Sequence, residues 1–315
     1  AVGLAGLGLF PGWFADPFTG LVLAVSLYAV GGGLTEVLVS AIVEACPTTR
    51  KESAMSLLHS FYCWGQTLVV LTSTLYFALF GLENWRYLAL FWSVLPLANA
   101  LYFARVPLRQ SGEKETAPPV KALLSFRKFW LFALLMFCSG AAELAISQWA
   151  SAFAESGLKV SKAAGDLAGP CMFALLMGTS RILGSKIHGK QQMKKWMTRS
   201  AVLCTAGYLA VALSPRPVPA LLGCALCGLS VGLMWPGTLS IAAAECGASG
   251  TALFALLALA GDLGCIMGPA AVGMVSGARG DDLKTGLLAA AVFPVLLTLV
   301  LLTEKRKKET VDLLP

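Results

Sequence analysis

Three carboxylates interrupt long apolar stretches of this chain: Glu36 in "GGGLTEVLVSAIVEA", Glu143 in "GAAELAISQWASAF" and Asp262 in "ALAGDLGCIMG". An acid in such surroundings has two uses. It can load and release a proton across a barrier, or it can hydrogen-bond a polar solute or a neighbouring helix. For Glu36 the choice lies between a proton carrier and a neutral carboxyl bonded between helices. Glu143 either binds the hydroxyls of a polar solute or caps a kink beside Gly140. Asp262, between Gly261 and Gly264, suits a cavity wall and a tight helix crossing equally. Polar companions accompany them. Gln148 and Trp149 follow Glu143 and offer a polar and aromatic face, unless Trp149 is an interfacial belt residue. His59 and Gln66 are seven residues apart, hence on one helix face, with His59 near an end, where it gates or merely hydrogen-bonds, and Gln66 deeper, as a cavity residue.

The elements that must position these groups are membrane helices. Of the 315 residues, 57% are hydrophobic and 13% charged, and the mean hydropathy is +0.74, outside the soluble globular range. Apolar runs recur at 1–15, 18–45, 53–81, 85–104, 129–153, 163–187, 196–214, 217–245, 249–277 and 283–303. Each of these is helix-like, without the ten-residue alternation of barrel strands, and most are long enough for a bilayer core of about 30 Å. The 32 glycines suit close helix packing. Each of the three acids lies well inside its run, near mid-membrane at a rise of 1.5 Å per residue. A charge there costs about 2.5 to 3.5 kcal/mol, so such acids face a cavity and carry function.

Alternate connections hold seventeen of the Lys and Arg residues on one side and six on the other. The positive-inside rule then places both ends in the cytoplasm, in a multi-pass plasma-membrane protein. The net charge of +7 reflects this topology and contact with anionic lipid, and needs no nucleic-acid partner. The segment "RVPLRQSGEKETAPPVKALLSFRK" (105–128) reads as a cytoplasmic linker between bundles at 1–104 and 129–303, with a cytoplasmic tail at 304–315. "SAIVEAC" at 40–46 and "SIAAAEC" at 240–246, offset by 200 residues, suggest repeated halves.

The nine cysteines lie in apolar runs and read as packing residues, the CxxC of Cys224 and Cys227 included; His59 and His188 form no ligand set. No HExxH, P-loop or GxSxG constellation is present, so no catalysis, cofactor or metal is expected. The chain opens on Ala1 with a short first run and no basic n-region, the marks of a fragment rather than of a signal peptide.

"WRYLALFWSVLPLANALYFARVPLR" resembles the sixth helix and exit of a major facilitator superfamily transporter, and "GTSRILGSKIHGK" the loop motif after its eighth. The resemblance implies an all-α integral membrane protein of two pseudo-symmetric bundles, with ten transmembrane helices, the third to the twelfth, of an expected twelve. "GGGLTEVLVSAIVEA", "SAMSLLHSFYCWGQ" and "GAAELAISQWASAFAESG" look most like the fucose/proton symporter branch. In that branch a glutamate of the fourth helix takes part in proton coupling, and Glu36 sits at the matching place; the family's other coupling acid belongs to the first helix, which precedes the ten read here. Arg181 matches the loop-motif position, as a partner of an acid that closes the inner face or as a snorkelling side chain. Glu44 and Glu245, at matching helix ends, read as members of closing ion pairs.

Two signatures of proton-driven drug antiporters are absent. No arginine stands near Gly31 and "GQTLVVLTST" has no Gly-Pro pair, while Gly268 and Pro269 fall in a later helix as a bend. The expectation is a monomeric secondary transporter of a small polar solute, a sugar by resemblance, in symport with protons. The alternatives are an efflux permease for amphipathic compounds and a non-transporting sensor or scaffold of the same fold.

Overall fold

A computed structural model describes residues 1–48, 50–106, 120–187, 189–246 and 251–312; the side chains at 41, 44, 45, 51, 52, 251 and 305–312 lie outside the description. Helices account for the architecture, and the described residues contain no strand. Among the described residues eight stretches are long and apolar enough to cross a membrane: Pro17–Ser40, Ser53–Phe80, Arg127–Gly157, Lys162–Gly184, Lys190–Leu213, Pro217–Cys246, Ala252–Ala278 and Leu283–Glu304. The two other expected runs are helical as well. Val2–Gly12 is short, and α4 (Trp85–Phe103) has 19 residues diluted by Arg86, Ser93, Pro96 and Asn99.

The remaining helices are α1 (Val2–Leu9), α2 (Pro17–Ala45), α3 (Lys51–Phe80), α5 (Val120–Ser125), α6 (Arg127–Ala152) and α7 (Lys162–Asp166), then α8 (Met172–Gly184), α9 (Lys190–Leu213) and α10 (Pro217–Val231). They end with α11 (Met234–Cys246), α12 (Thr251–Ala278), α13 (Leu283–Ala290) and α14 (Val292–Asp312). Several runs that hydropathy reads as continuous are subdivided, and proline explains where. Pro170 has no N–H to give Asp166, and a π-turn, Leu167–Cys171, joins α7 to α8. Pro236 cannot bond the carbonyl of Gly232, and the chain breaks there between α10 and α11. Pro294 deprives Ala290 in the same way, where α13 gives way to α14.

The chain forms two compact units, Ala1–Ala45 with Leu71–Lys114 and Cys46–Val70 with Glu115–Pro315. In the first, α1 lies against α2 and α4, with Gly3 over Ala24 and Tyr28 and Gly8 over Arg86 and Leu90. In the second, α6 is the central element, packed against α10, α11, α12 and α14. Its core includes Phe132, Met136, Ile146, Phe173, Met177, Tyr208, Met234, Leu257 and Leu297. The Tyr208 hydroxyl donates to the Ala142 carbonyl at 2.7 Å.

Small residues set the α6–α12 crossing. A Cβ on Gly264 would stand 2.0 Å from the Phe137 carbonyl oxygen, and one on Gly268 2.3 Å from that of Ala141. Lipid tails are as apolar as the helices, so such backbone-to-backbone contact supplies the attraction that water would otherwise enforce. Farther along, the Trp149 indole N–H donates to the Pro269 carbonyl at 3.0 Å. Trp149 is therefore a half-buried tie inside the bundle, not a belt residue; Gly273, whose Cβ would lie 3.1 Å from the indole, leaves it the room.

The ends of the second unit carry its charge. Glu245, at the end of α11, accepts Lys128 Nζ at 3.1 Å, Lys190 Nζ at 2.8 Å and Lys194 Nζ at 2.7 Å, gathering the starts of α6 and α9. At the other end of α9, Lys284 Nζ donates to the Ser214 carbonyl at 2.9 Å. Beside it Asp282 caps α13, and the Thr285 hydroxyl and the Lys284 N–H hold its carboxyl below its ordinary pKa. The 24 residues of α9 separate these charged ends by about 36 Å, enough to clear a hydrocarbon core.

Gly264→Ala is expected to lower the detergent-solubilised unfolding midpoint, at a cost of about 1 to 3 kcal/mol for overpacking. Gly277→Ala, in the same helix but with no atom within 4 Å of its Cβ position, should leave the midpoint unchanged or raise it through helix propensity. Equal effects of the two would refute the crossing as the source of stability.

Candidate functional site

The site grows from one basic residue in the interior. Arg181 sits in the last turn of α8 at 3% exposure, and Glu143, in the middle of α6, at 6%. Arg181 Nη2 meets Glu143 Oε2 at 3.2 Å. Nη1 donates to the His59 carbonyl of α3 at 2.8 Å. Nε donates to the Gly232 carbonyl at 3.3 Å, the group that Pro236 leaves without its helical partner. The guanidinium carbon also stands 5.7 Å from the centre of the Tyr62 ring, at cation–π range.

Backbone contacts hold Arg181 in that position. Ser56 of α3 donates to its carbonyl at 2.6 Å, and Ser53 donates to the carbonyl of Ser185. Gly232 admits the close approach, because a Cβ there would stand 2.7 Å from the Met177 carbonyl oxygen and 2.8 Å from Ser180 Cβ. Three helices and a proline-made break thus converge on one cation. The pair is buried and of opposite charge, which suits it to fixing helix positions.

The other expected residues fall around and away from this pair. His59 adjoins it through its carbonyl, while its Nε2 and, two turns on, Gln66 Oε1 are buried without a hydrogen-bond partner. Asp262 is half-buried on α12 and makes no hydrogen bond or ion pair among the described residues. Gln148 is exposed on α6, well round the helix from Glu143. Glu36 is on an exposed side of α2, in the first unit. Glu245 belongs to the lysine cluster. The side chain of Glu44, and all of His188, lie outside the described residues. Among the described residues no group of His, Cys, Asp and Glu is arranged to hold a metal ion. Cys224 and Cys227 are free thiols in the core.

The sequence leaves Arg181 between an ion pair with an unnamed acid and a snorkelling side chain, and Glu143 between solute binding and a helix kink; the structure joins the two residues. Sequence reasoning missed Ser53, Ser56, Tyr62 and Gly232. A signal for Gly232 existed: a proline four residues later announces a carbonyl in want of a donor.

A protein-family model for the Major Facilitator Superfamily matches residues 1–269. The chain belongs to the major facilitator superfamily. Its fold agrees: a crystal structure of a variant of the E. coli fucose:proton symporter FucP superposes with a TM-score of 0.68 at 16% identity, over 95% of this chain and 80% of that one. A structure of FucP in the outward conformation, described as a major facilitator superfamily transporter, gives 0.68 at 15% identity over 95% and 79%. Among curated proteins, the membrane protein MosC of Rhizobium meliloti is 25% identical over 259 residues. The match covers 82% of this chain and 62% of MosC, so the chain spans about three fifths of that relative's length. The family and the fold are those of membrane transporters rather than enzymes.

Within this major facilitator fold, removing one partner of the buried pair leaves an uncompensated charge. Arg181→Met should destabilise the protein by about 3 to 5 kcal/mol, as should Glu143→Leu. The double variant should cost clearly less than the sum of the two. Denaturant titration of the four proteins checks this, and strict additivity would mean that the two residues do not interact.

Proposed function

We propose that the protein is a secondary transporter carrying a small polar solute across the plasma membrane by alternating access, in symport with protons. Membership of the superfamily over residues 1–269 carries this reading. The carboxylates inside apolar spans supply its chemistry, and the fold shared with a fucose:proton symporter supports sugars as the solute class to try first. The bundles at 1–104 and 129–303 rock about the linker 105–128, with the C-terminus in the cytoplasm and the protein acting as a monomer.

The roles divide by environment. Glu143 is engaged by Arg181 and serves to hold the site together. Glu36 is the proton carrier, as the acid within the Pro17–Ser40 span at the position that the resemblance marks. Asp262, half-buried in the Ala252–Ala278 span, is a second candidate for protonation or solute binding, and Gln66 and Gln148 offer hydrogen bonds to the solute.

The test uses the full-length protein in liposomes enclosing a pH-sensitive dye, with a panel of labelled monosaccharides including fucose. Uptake of the transported sugar should acidify the lumen. Glu36→Gln should abolish that acidification and accumulation against a gradient, while exchange of labelled for unlabelled sugar persists. Unchanged proton flux in Glu36→Gln would remove the coupling role from this residue.

A further inference from the structure

The lysine cluster on Glu245 has an unbalanced composition. One carboxylate, 6% exposed on its side chain, faces three ammonium groups whose side chains are 53%, 46% and 35% exposed. The acid neutralises one charge of the three. Each ammonium has three donors, so beyond its contact with Glu245 each half-exposed lysine keeps further donors to offer. A second anion is therefore favoured at this spot, and the buried carboxylate has already ordered the side chains that would bind it.

The surroundings identify its chemistry. Lys128, Lys190 and Glu245 stand at the ends of the membrane-crossing stretches Arg127–Gly157, Lys190–Leu213 and Pro217–Cys246, which is headgroup depth. A small depression that Lys190 helps to line is otherwise formed by Ile187, Met193, Ser240, Ile241 and Ala244, mostly apolar side chains. Near the same ends, Trp130 and Trp196 expose 58% and 41% of their surface, as indoles do at the boundary between acyl chains and headgroups. A soluble anion would use the charge and leave the apolar wall and the indoles without a role; a phospholipid uses all three.

We propose that Lys128, Lys190 and Lys194, held by Glu245, form a binding site for the phosphate of an anionic phospholipid in the leaflet at that end of the helices. The lipid completes the charge of the cluster and clamps α6, α9 and α11 together.

The test places the purified full chain in nanodiscs of phosphatidylcholine, with or without phosphatidylglycerol. It reads the thermal unfolding midpoint and, by native mass spectrometry, the lipid retained. Phosphatidylglycerol should raise the midpoint and be retained in preference to phosphatidylcholine. The double substitution Lys190→Gln with Lys194→Gln should lose most of both effects, whereas Lys186→Gln with Lys195→Gln, at exposed lysines that do not touch Glu245, should keep them. The single substitution Lys190→Gln, milder than the pair, should lose part of both effects; this arm stands even where the first double variant fails to fold. The proposal is overturned by equal loss in the two double variants, which would mean diffuse surface charge. It is equally overturned by inorganic phosphate giving the same shift in pure phosphatidylcholine, or by the absence of any shift.

Discussion

A guanidinium inside a helix bundle persists only when its N–H groups find acceptors, and the arrangement of the second unit follows from meeting that demand at Arg181. An ordinary helix has no carbonyl with both lone pairs free in its middle, since each receives the N–H four residues on. Pro236 creates one by leaving the Gly232 carbonyl unbonded, and Arg181 Nε takes it. The His59 carbonyl supplies another through its second lone pair, and Glu143 supplies the countercharge. A feature that weakens α10 and α11 as one helix thus stabilises the cation that ties α3, α6 and α8 to their junction.

The ion pair also depends on a contact without polarity. Glu143 reaches Arg181 from α6, and α6 is fixed by its glycine-mediated crossing with α12 and by the Trp149 bond to Pro269. The crossing holds the backbone, and the backbone aims the carboxylate. Hydrophobic burial as it works in water cannot do this between helices in lipid, so small residues and indole or hydroxyl donors share the task. Tyr208, donating to Ala142 one residue before Glu143, adds a further tie at the same level of α6.

Hydropathy made the helical class legible, because run length and the scarcity of charge are properties of each segment alone. The subdivision of 217–245 was also within reach, through Pro236, but the apolar run masked it. Which residues meet was not legible. Glu143 and Arg181 are 38 residues apart, and their pairing depends on how α6 and α8 are rotated against one another, which no local pattern encodes. The same limit applied to Trp149. A tryptophan near a helix end fits a belt by composition, and only the open space at Gly273, on a helix more than a hundred residues away, makes it an internal donor. For Glu245 the sequence offered its position at a helix end and an ion-pair role, and the three partners follow from the meeting of α6, α9 and α11.

Glu143 and Glu245 carry the same side chain in one bundle, and their partners show what depth does to charge. In the interior, one acid meets one guanidinium and two backbone carbonyls accept further donors, so the charges of the pair offset one another. At the helix ends one acid meets three ammonium groups whose stems emerge from the bundle; excess positive charge is tolerable there because water and headgroups answer it. The planar guanidinium, with its fixed fork of donors, suits the closed site, and the flexible ammonium suits the open one. Arginine within and lysine at the rim is therefore the distribution that desolvation selects. It makes the first constellation a fixed point of the bundle, and the second a surface that remains open to an anion.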